Sequence, residues 1–367
     1  MSEAFVVFFG GGAVSPIERR LDEIRLAVAE HVVEIARAAG FSPVLGVTPD
    51  AAAARLSAAG AEVVSPSTNP FHLGRELRAL VDARRIERLC AIGGGAGALL
   101  TAQELAAVRV RLEGASAIVI SNNYYSADLV AFAPASALAA IDLPATDNPL
   151  PRLLHQQGGL PTVELPRGAS SLLDIDTPTD ATILRRHPRC PRAVRGLPGW
   201  EAEQGERLET VLRLLVTPEV ELCIAGRVGA QVWAFIETQS ACRVRMLAEE
   251  RGMQAAGRDV SGEARSVLGF LYEQVGPRAF FERLAELGNA VILDSRVLFA
   301  HLGLRPSAAD RFASDVFRAD EITDARVVEF TRAAVEAPVP VLLGGQTLVG
   351  GGLWAMAEMA WQPAEVG

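Results

Sequence analysis

The stretch that decides the fold is "RLCAIGGGAGALLTAQEL", residues 88–105. A short apolar run at 89–92 leads into the glycine-rich segment 93–97, and a helical pattern follows. This order is typical of a buried strand that delivers a loop to the edge of a parallel sheet. Loops at that edge often carry functional side chains, but Gly93-Gly94-Gly95-Ala96-Gly97 contains no charge. The loop therefore offers a ligand only backbone groups.

The same strand, loop and helix pattern extends on both sides of this stretch. The run "AFVVFF" at 4–9 ends in Gly10-Gly11-Gly12. Further strands are predicted at 42–49, 61–66 and 116–122, and helices at 17–39, 50–60, 74–87 and 101–114. Strands that alternate with helices of about a dozen residues indicate βαβ units. We therefore expect an α/β, Rossmann-like, mostly parallel three-layer sheet, with both glycine loops at the carboxyl edge where ligands bind.

The second half of the chain has a different residue pattern. A length of 367 residues suggests two domains, and prolines cluster between about 140 and 200. We expect an α/β domain over 1–187, a linker at 188–204 and a mainly helical domain over 205–367. One last apolar strand is predicted at "VPVLLGG", 339–345.

The composition excludes several classes of function. A net charge of −9 and an aromatic content of 6% argue against a nucleic-acid partner. All 35 basic residues are arginine, which excludes a Schiff-base lysine and a Walker A lysine. The four cysteines form no C-x-x-C pair, which argues against a zinc ribbon. The N-terminal stretch lacks a secretory pattern, and Gln346 and Glu358 interrupt the apolar C-terminal stretch, so we expect a cytoplasmic protein with no membrane span.

The segment "LLDIDTPTDATIL", residues 172–184, has two interpretations. Thr177 fits the N-cap of a helix, Pro178 its first position and Asp180 its first turn, so the segment is consistent with a well-capped helix alone. Alternatively, Asp174 or Asp176 points into a site and holds a divalent metal through carboxylate oxygen.

The motif "DIDTPTD" resembles the closing signature of the nucleotidyltransferases related to molybdenum-cofactor guanylyltransferase and phospholactate guanylyltransferase. The order of elements from 4 to 184 is similar to that family as well, including "FFGGGAVSP", "HVVEIARAAGFSPVLGVTP" and "CAIGGGAGALLTAQEL". The resemblance implies a Rossmann-like sheet that joins a nucleoside triphosphate to a phosphorylated acceptor, with Mg²⁺ and release of pyrophosphate. It covers roughly the first half of the chain.

The resemblance also implies which residues form the site, and where the site is degenerate. The family's first loop carries an Arg and a Lys, whereas here Arg19 and Arg20 come late and lysine is absent. The family's metal-binding Asp in a Gly-Asp-x-Pro loop is replaced by glycine and alanine at 93–97. The resemblance implies that Asp174 and Asp176 are the catalytic residues and metal ligands. The expected nucleotide-binding residues are Gly10, Gly11, Gly12, Arg19, Gly93, Gly94, Gly95, Asn122 and Asn123.

The second half contains charged residues embedded among apolar ones. Buried charges are usually paired, so these residues are either structural ion pairs or a polar pocket for an anionic ligand. Asp294 and His301 are expected on one face of a helix, two turns apart. The candidate pocket residues are Arg245, Glu250, Arg251, Asp294, Arg296, His301 and Asp315.

Three functions remain open at this point. The first is a divergent nucleotidyltransferase that binds a nucleoside triphosphate or a nucleotide-linked ligand with Mg²⁺. The second is a catalytically inactive scaffold of that fold, whose helical C-terminal domain binds an anionic ligand or a protein partner. The third is an enzyme whose chemistry lies in the second half. Glycine-rich apolar helices at the C-terminus also make a homodimer possible.

Overall fold

The computed structural model describes residues 3–253 and 256–362, which form two compact units. The first unit comprises the residues up to Ala13, Asp22–Asp174 and Pro191–Gly196. The second comprises Val14–Leu21, Ile175–Cys190 and the residues from Leu197 onward. These units do not coincide with the segments 1–187, 188–204 and 205–367, which stay a prediction about independently folding domains.

The first unit is built on a seven-stranded sheet of order β3-β2-β1-β4-β6-β5-β7. Only β6 runs antiparallel to its neighbours. The predicted mostly parallel α/β fold is confirmed, and β6 and β7 are strands that the sequence reading did not include. The strands are β1 (Glu3–Phe8), β2 (Val44–Val47), β3 (Glu62–Val64), β4 (Arg88–Gly93), β5 (Ile118–Ser121), β6 (Leu129–Ala133) and β7 (Thr162–Glu164).

Helices connect the strands, as the alternating pattern predicts. Apolar residues at helical spacing bury one face of each long helix, and polar caps fix several helix starts. Thr101 and Glu104, for example, form a capping box at the start of the helix that follows the 93–97 loop. The helices up to residue 195 are α1 (Pro16–Ala38), α2 (Asp50–Ala59), α3 (Leu73–Arg84), α4 (Ala102–Gly114), α5 (Leu150–Gln156), α6 (Ala169–Leu172), α7 (Pro178–Arg186) and α8 (Arg192–Arg195), with a 3-10 helix at Ala135–Ala140.

The core of the first unit is apolar and lies against the sheet. Val6 of β1, Leu45 of β2 and Phe132 of β6 are fully buried in it, together with Leu77 of α3. Four consecutive buried residues in β1 give the continuous apolar run that a strand covered on both faces requires.

The second unit is mainly helical by residue content, but it contains more strands than the one predicted. The predicted strand at 339–345 is β11, and three further strands pair with it in a parallel sheet of order β11-β10-β8-β9. The expectation of a single strand after residue 201 was therefore wrong. The strands are β8 (Glu221–Gly226), β9 (Arg243–Ala248), β10 (Ala290–Asp294) and β11 (Val341–Gly344).

The remaining helices surround this second sheet. Phe280, Phe281 and Phe330 form the aromatic centre of its core, with ring centroids 5.2–5.3 Å apart between neighbours. Within the described residues, no helix is long and apolar enough to cross a membrane. The helices are α9 (Glu201–Leu215), α10 (Ala230–Gln239), α11 (Arg258–Ser261), α12 (Val267–Ala285), α13 (Ser295–His301), α14 (Ala308–Asp315), α15 (Ala325–Val335) and α16 (Gly351–Ala360), with a 3-10 helix at Ala319–Glu321.

Candidate functional site

The two glycine loops of the first unit leave the sheet side by side. Strands β1 and β4 are parallel neighbours, and Phe8 pairs with Gly93 at their carboxyl ends. A Cβ atom on Gly94 would lie 2.9 Å from Phe9 Cδ2 and 3.0 Å from the carbonyl oxygen of Phe8, so only glycine allows this approach. The strand order reverses between β1 and β4, which is where open α/β sheets bind ligands.

The loop at Gly10–Gly12 is open to solvent. All three glycines are exposed, and a Cβ atom on Gly10 or Gly12 would meet no atom within 4 Å. Their amides donate no hydrogen bond to any described residue of the chain. These amides are therefore available as donors to a ligand.

Asp174 lies beside the second glycine loop. Its backbone forms an isolated antiparallel bridge with Ala96, the one non-glycine residue of the loop. The structure thus brings together two motifs that lie almost 80 residues apart in the sequence, and it places the partly buried Asp174 at the carboxyl edge of β4. The capped helix is confirmed as well, because Thr177 and Asp180 form a capping box at the start of α7, with Pro178 as its first residue.

Asp176 belongs to the second compact unit, although it follows Asp174 by only two residues. It is exposed, and its Oδ2 accepts a hydrogen bond from Thr347 Oγ1 at 3.2 Å. Arg19 also belongs to the second unit, where its guanidinium donates to the carbonyl oxygen of Val14. The assignment of Asp176 to a metal and of Arg19 to a phosphate stays a prediction.

Two further aspartates stand at the glycine loop, and the sequence analysis did not single them out. The amide of Gly93 donates to the carbonyl oxygen of Asp128 at 3.1 Å. Asp147 Oδ2 lies 3.8 Å from the position that a Cβ atom on Gly93 would occupy. The segment "ATDNPLP" that contains Asp147 appeared only as part of a proline cluster, and no local pattern in it indicates a position at the carboxyl end of β4.

Asn122 and Asn123 follow β5, as predicted, but they use their side chains differently. Asn122 is buried, and its Oδ1 accepts from the amides of Asp128 and Leu129. Its Nδ2 donates to Asp128 Oδ2 at 3.0 Å and to the carbonyl oxygen of Ser171 at 2.9 Å. These bonds fix the start of β6 and with it the Asp128 carboxylate. Asn123 is partly exposed, and its Oδ1 closes the turn at Tyr125 and Ser126.

In the second unit, buried ion pairs lie at the carboxyl edge of the sheet. Asp294 ends β10, and both of its oxygens bind the guanidinium of Arg227, which follows β8, at 2.6 and 3.1 Å. Arg296 and Asp315 form a second two-bond pair. Burial opposes the charge on Arg296, but the Asp315 carboxylate more than compensates and raises its pKa. The structure thus gives Asp294, Arg296 and Asp315 the ion-pair role, and Arg227 is a residue that the sequence analysis missed.

The other predicted pocket residues do not join these pairs. Arg245 is exposed on β9 and lies 3.4 Å from Glu221, and Glu250 pairs with Arg258. The His301 side chain is only 3% exposed, and its Nδ1 accepts from the amide of Ser266 at 3.0 Å. Asp294 caps the N-terminus of α13 and His301 ends it, but no bond links their side chains.

Asp180 is the most perturbed carboxyl group of the second unit. Burial, together with the neighbouring carboxylates of Asp176 and Asp315, raises the pKa of Asp180 well above its usual range. Its Oδ2 accepts from Thr177, whereas its buried Oδ1 has no hydrogen-bond partner.

Among the described residues, no group of three or more His, Cys, Asp or Glu side chains is arranged to hold a metal ion. Mg²⁺ commonly needs only one or two carboxylates, because it keeps waters and binds the phosphates of the substrate. Asp174 and Asp147 both lie at the glycine loop and could each supply one such carboxylate.

No family model and no curated protein matches the chain. Solved structures that resemble it include a cytidylyltransferase from Leptospira borgpetersenii, with 15% identity over 51% of this chain and 86% of that chain and a TM-score of 0.40. A nucleotidyl transferase from Methanothermobacter has 20% identity over 46% of this chain and 90% of that chain, with a TM-score of 0.35. CMP:2-keto-3-deoxy-manno-octonic acid synthetase has 12% identity over 45% of this chain and 90% of that chain, with a TM-score of 0.34. Similarities this low carry no argument about this chain, whose fold is defined by its own strand order.

Proposed function

We propose that the first unit binds a nucleoside triphosphate or a nucleotide-linked ligand, together with Mg²⁺, at the carboxyl edge of its sheet. The observation that carries this proposal is the backbone bridge between Ala96 and Asp174. It joins the glycine loop to the aspartate of the "DIDTPTD" motif at the point where the strand order reverses.

The chemistry of the edge supports a phosphate-bearing ligand. The free amides of Gly10–Gly12 are suited to phosphate oxygens. Asp174 and Asp147 would hold Mg²⁺ on the side of the second loop, and the metal would neutralise part of the phosphate charge. Backbone amides and a metal ion can bind and neutralise a phosphate in a chain that contains no lysine.

A nucleotidyl transfer is the reaction we propose for this site. Such a transfer depends chiefly on positioning and charge neutralisation, which the glycine loops and a metal supply without a covalent intermediate. The alternative is a catalytically inactive scaffold, with or without a bound nucleotide, in which the charged second unit binds an anionic ligand or a protein partner.

A thermal-shift screen distinguishes Mg²⁺-dependent nucleotide binding from the inactive scaffold. The purified protein is heated with GTP, CTP, ATP or UTP, each with and without Mg²⁺. We expect one triphosphate to raise the melting temperature only with Mg²⁺, because a ligand that binds only the native state stabilises it. A shift that does not depend on Mg²⁺, or no shift with any of the four, would favour the scaffold.

A further inference from the structure

Two adjacent tyrosines stand in the loop that follows β5 in the first unit. Strand β5 runs in the same direction as β4, because each of the two pairs antiparallel with β6. The loop after β5 therefore leaves the sheet at the edge that carries the glycine loops. Tyr124 is partly exposed there, and Tyr125 is 75% exposed.

Hydrogen bonds connect this loop to the second glycine loop. Ser126, which follows the tyrosines, donates from its Oγ to Asn148 Oδ1 at 2.7 Å. The amide of Asn148 donates to Asp147 Oδ1 at 2.9 Å, and Asp147 is the aspartate that lies at Gly93. The two tyrosines therefore lie on the side of the site where we propose that aspartates hold Mg²⁺.

The backbone of both tyrosines is fixed by side chains of other residues. The amide of Tyr124 donates to Glu164 Oε1 at 3.2 Å. The amide of Tyr125 donates to Asn123 Oδ1 at 3.0 Å. A tyrosine side chain has only two rotatable bonds, so it offers a large contact area at a small entropic cost. A ligand that binds this pair of rings has little protein to order.

The aromatic rings at this position stand nearly at right angles to one another. The ring centroids of Tyr124 and Tyr125 are 4.8 Å apart with an interplanar angle of 87°, and those of Tyr124 and His155 are 6.0 Å apart at 71°. Among the described residues, no arginine lies over either tyrosine ring, and neither hydroxyl group forms a hydrogen bond. Aromatic ring faces carry partial negative charge, and several such faces around one position form the aromatic cages that bind quaternary ammonium groups.

The charges around the tyrosines also favour a cation. The sequence from residue 121 to residue 164 contains four acidic residues and one arginine. The carboxylate nearest to the tyrosine backbone is that of Glu164, which also pairs with Arg167 at 2.8 Å. An excess of negative charge attracts a cationic group and repels an anionic one.

We propose that Tyr124 and Tyr125 bind a quaternary ammonium group, and that the acceptor is a phosphate monoester that carries such a group. This inference rests on the nucleotidyl transfer proposed above. In that transfer, an oxygen of the acceptor phosphate would form a bond to the α-phosphorus of the triphosphate while the bond to the leaving pyrophosphate breaks. The anionic end of the acceptor would then face Mg²⁺, and its cationic end would face the tyrosines.

The test is a calorimetric titration of the full chain with phosphocholine and with 3,3-dimethylbutyl phosphate, in which a carbon atom replaces the quaternary nitrogen. Both ligands are titrated with Mg²⁺ at constant ionic strength, first without a triphosphate and then with the triphosphate selected in the screen. Tyr125→Leu removes the exposed ring, whereas Tyr125→Phe keeps it. The matched control is Trp233→Leu, which removes an exposed aromatic side chain from the second unit.

We expect the wild type to bind phosphocholine at least about fivefold more tightly than the neutral ligand, since a cation–π contact contributes that much. Tyr125→Leu should lose most of this preference, whereas Tyr125→Phe and Trp233→Leu should keep it. Equal binding of the two ligands by the wild type, or no phosphocholine binding at millimolar concentration, would overturn the proposal. A preference that persists in Tyr125→Leu would overturn it as well, because the acidic residues alone would then explain it.

Failure of the nucleotidyl transfer gives a different result. If a triphosphate binds with Mg²⁺ and phosphocholine does not bind, the assignment of the acceptor is wrong and the nucleotide site stands. If phosphocholine binds through Tyr125 and no triphosphate raises the melting temperature, the ammonium site stands and its role in a transfer is wrong.

Discussion

At the scale of single residues, the glycines of the loop at 93–97 are explained by the close approach of neighbouring atoms rather than by charge. Gly97 has φ +79°, and a Cβ atom there would lie 2.8 Å from Ile92 Cδ1. Gly94 is equally constrained by Phe8 and Phe9. The glycines therefore have a structural reason to be present, in addition to the amides that they offer.

Gly97→Ala tests this constraint. We expect it to lower the free energy of unfolding by about 2–4 kcal/mol, from the left-handed backbone and the overpacking together. Urea denaturation measures the loss. Gly114→Ala is the control, because Gly114 ends α4 with open space around it, and it should change stability by less than about 1 kcal/mol. Equal effects of the two substitutions would contradict the account.

The buried pair of Arg227 and Asp294 gives a second prediction. Asp294→Ala leaves a nearly buried guanidinium without its counter-ion, so we expect a loss of about 3–5 kcal/mol in the free energy of unfolding. The double variant Arg227→Met with Asp294→Leu should recover most of that loss, because it removes both charges. A double variant as unstable as Asp294→Ala would show that the loss comes from packing or from the lost cap of α13 instead.

The roles of some of these residues can be predicted from the sequence, and the roles of others cannot. The capping role of Thr177, Pro178 and Asp180 follows from local chemistry, and the structure confirms it. Asp147 and Arg227 reach their positions through contacts between distant segments, at Gly93 and at Asp294. A single sequence contains no local signal for such contacts.

At the scale of elements, α7 starts on a buried carboxyl group, Asp180, whose pKa is raised. Asp180 completes the capping box, yet its Oδ1 is buried without a partner and it lies near Asp176, Asp315 and Arg296. Its pKa is raised in the folded state, so the folded protein keeps this proton at pH values where the unfolded chain has lost it. The contribution of Asp180 to the free energy of unfolding is therefore largest at low pH. It decreases as the pH rises from about 4 through the folded-state pKa.

Asp180→Asn should remove this pH dependence. Asparagine keeps an oxygen for the capping bonds from Thr177 and cannot ionise. We expect the stability of the variant, measured by urea denaturation between pH 4 and pH 9, to fall less with rising pH than that of the wild type. Parallel pH curves for the two proteins would contradict a raised pKa of Asp180 in the folded state.

The elements of the two sheets differ in how well the sequence predicts them. In the first unit, regular alternation with helices identified β1 to β5. In the second, β8 and β10 are short apolar runs, "ELCIAG" and "AVILD", which periodicity alone does not distinguish from buried helix. Strand β9, "RVRMLA", is an edge strand with alternating exposure, and its two arginines obscured that pattern.

At the scale of the whole molecule, the chain carries one mostly parallel sheet and one parallel sheet, each with a glycine turn at the point where its strand order reverses. A chain with 35 arginines and no lysine must neutralise phosphate with guanidinium groups, backbone amides or a metal ion. The first sheet offers amides and aspartates at its turn, whereas Arg227 and Arg296 at the second sheet are paired with aspartates. The aspartates are why we propose Mg²⁺ for the site in the first unit.

The most direct test of the central claim is a calorimetric titration of the triphosphate selected in the screen, with and without Mg²⁺, into the wild type, Asp174→Asn and Asp82→Asn. Asp82 is an exposed aspartate of α3 and serves as the control. We predict Mg²⁺-dependent binding by the wild type and by Asp82→Asn, and binding at least about tenfold weaker by Asp174→Asn, since Asp174 would hold the metal. Equal affinity in all three proteins, or affinity that does not depend on Mg²⁺, would contradict a metal-assisted nucleotide site at the glycine loop.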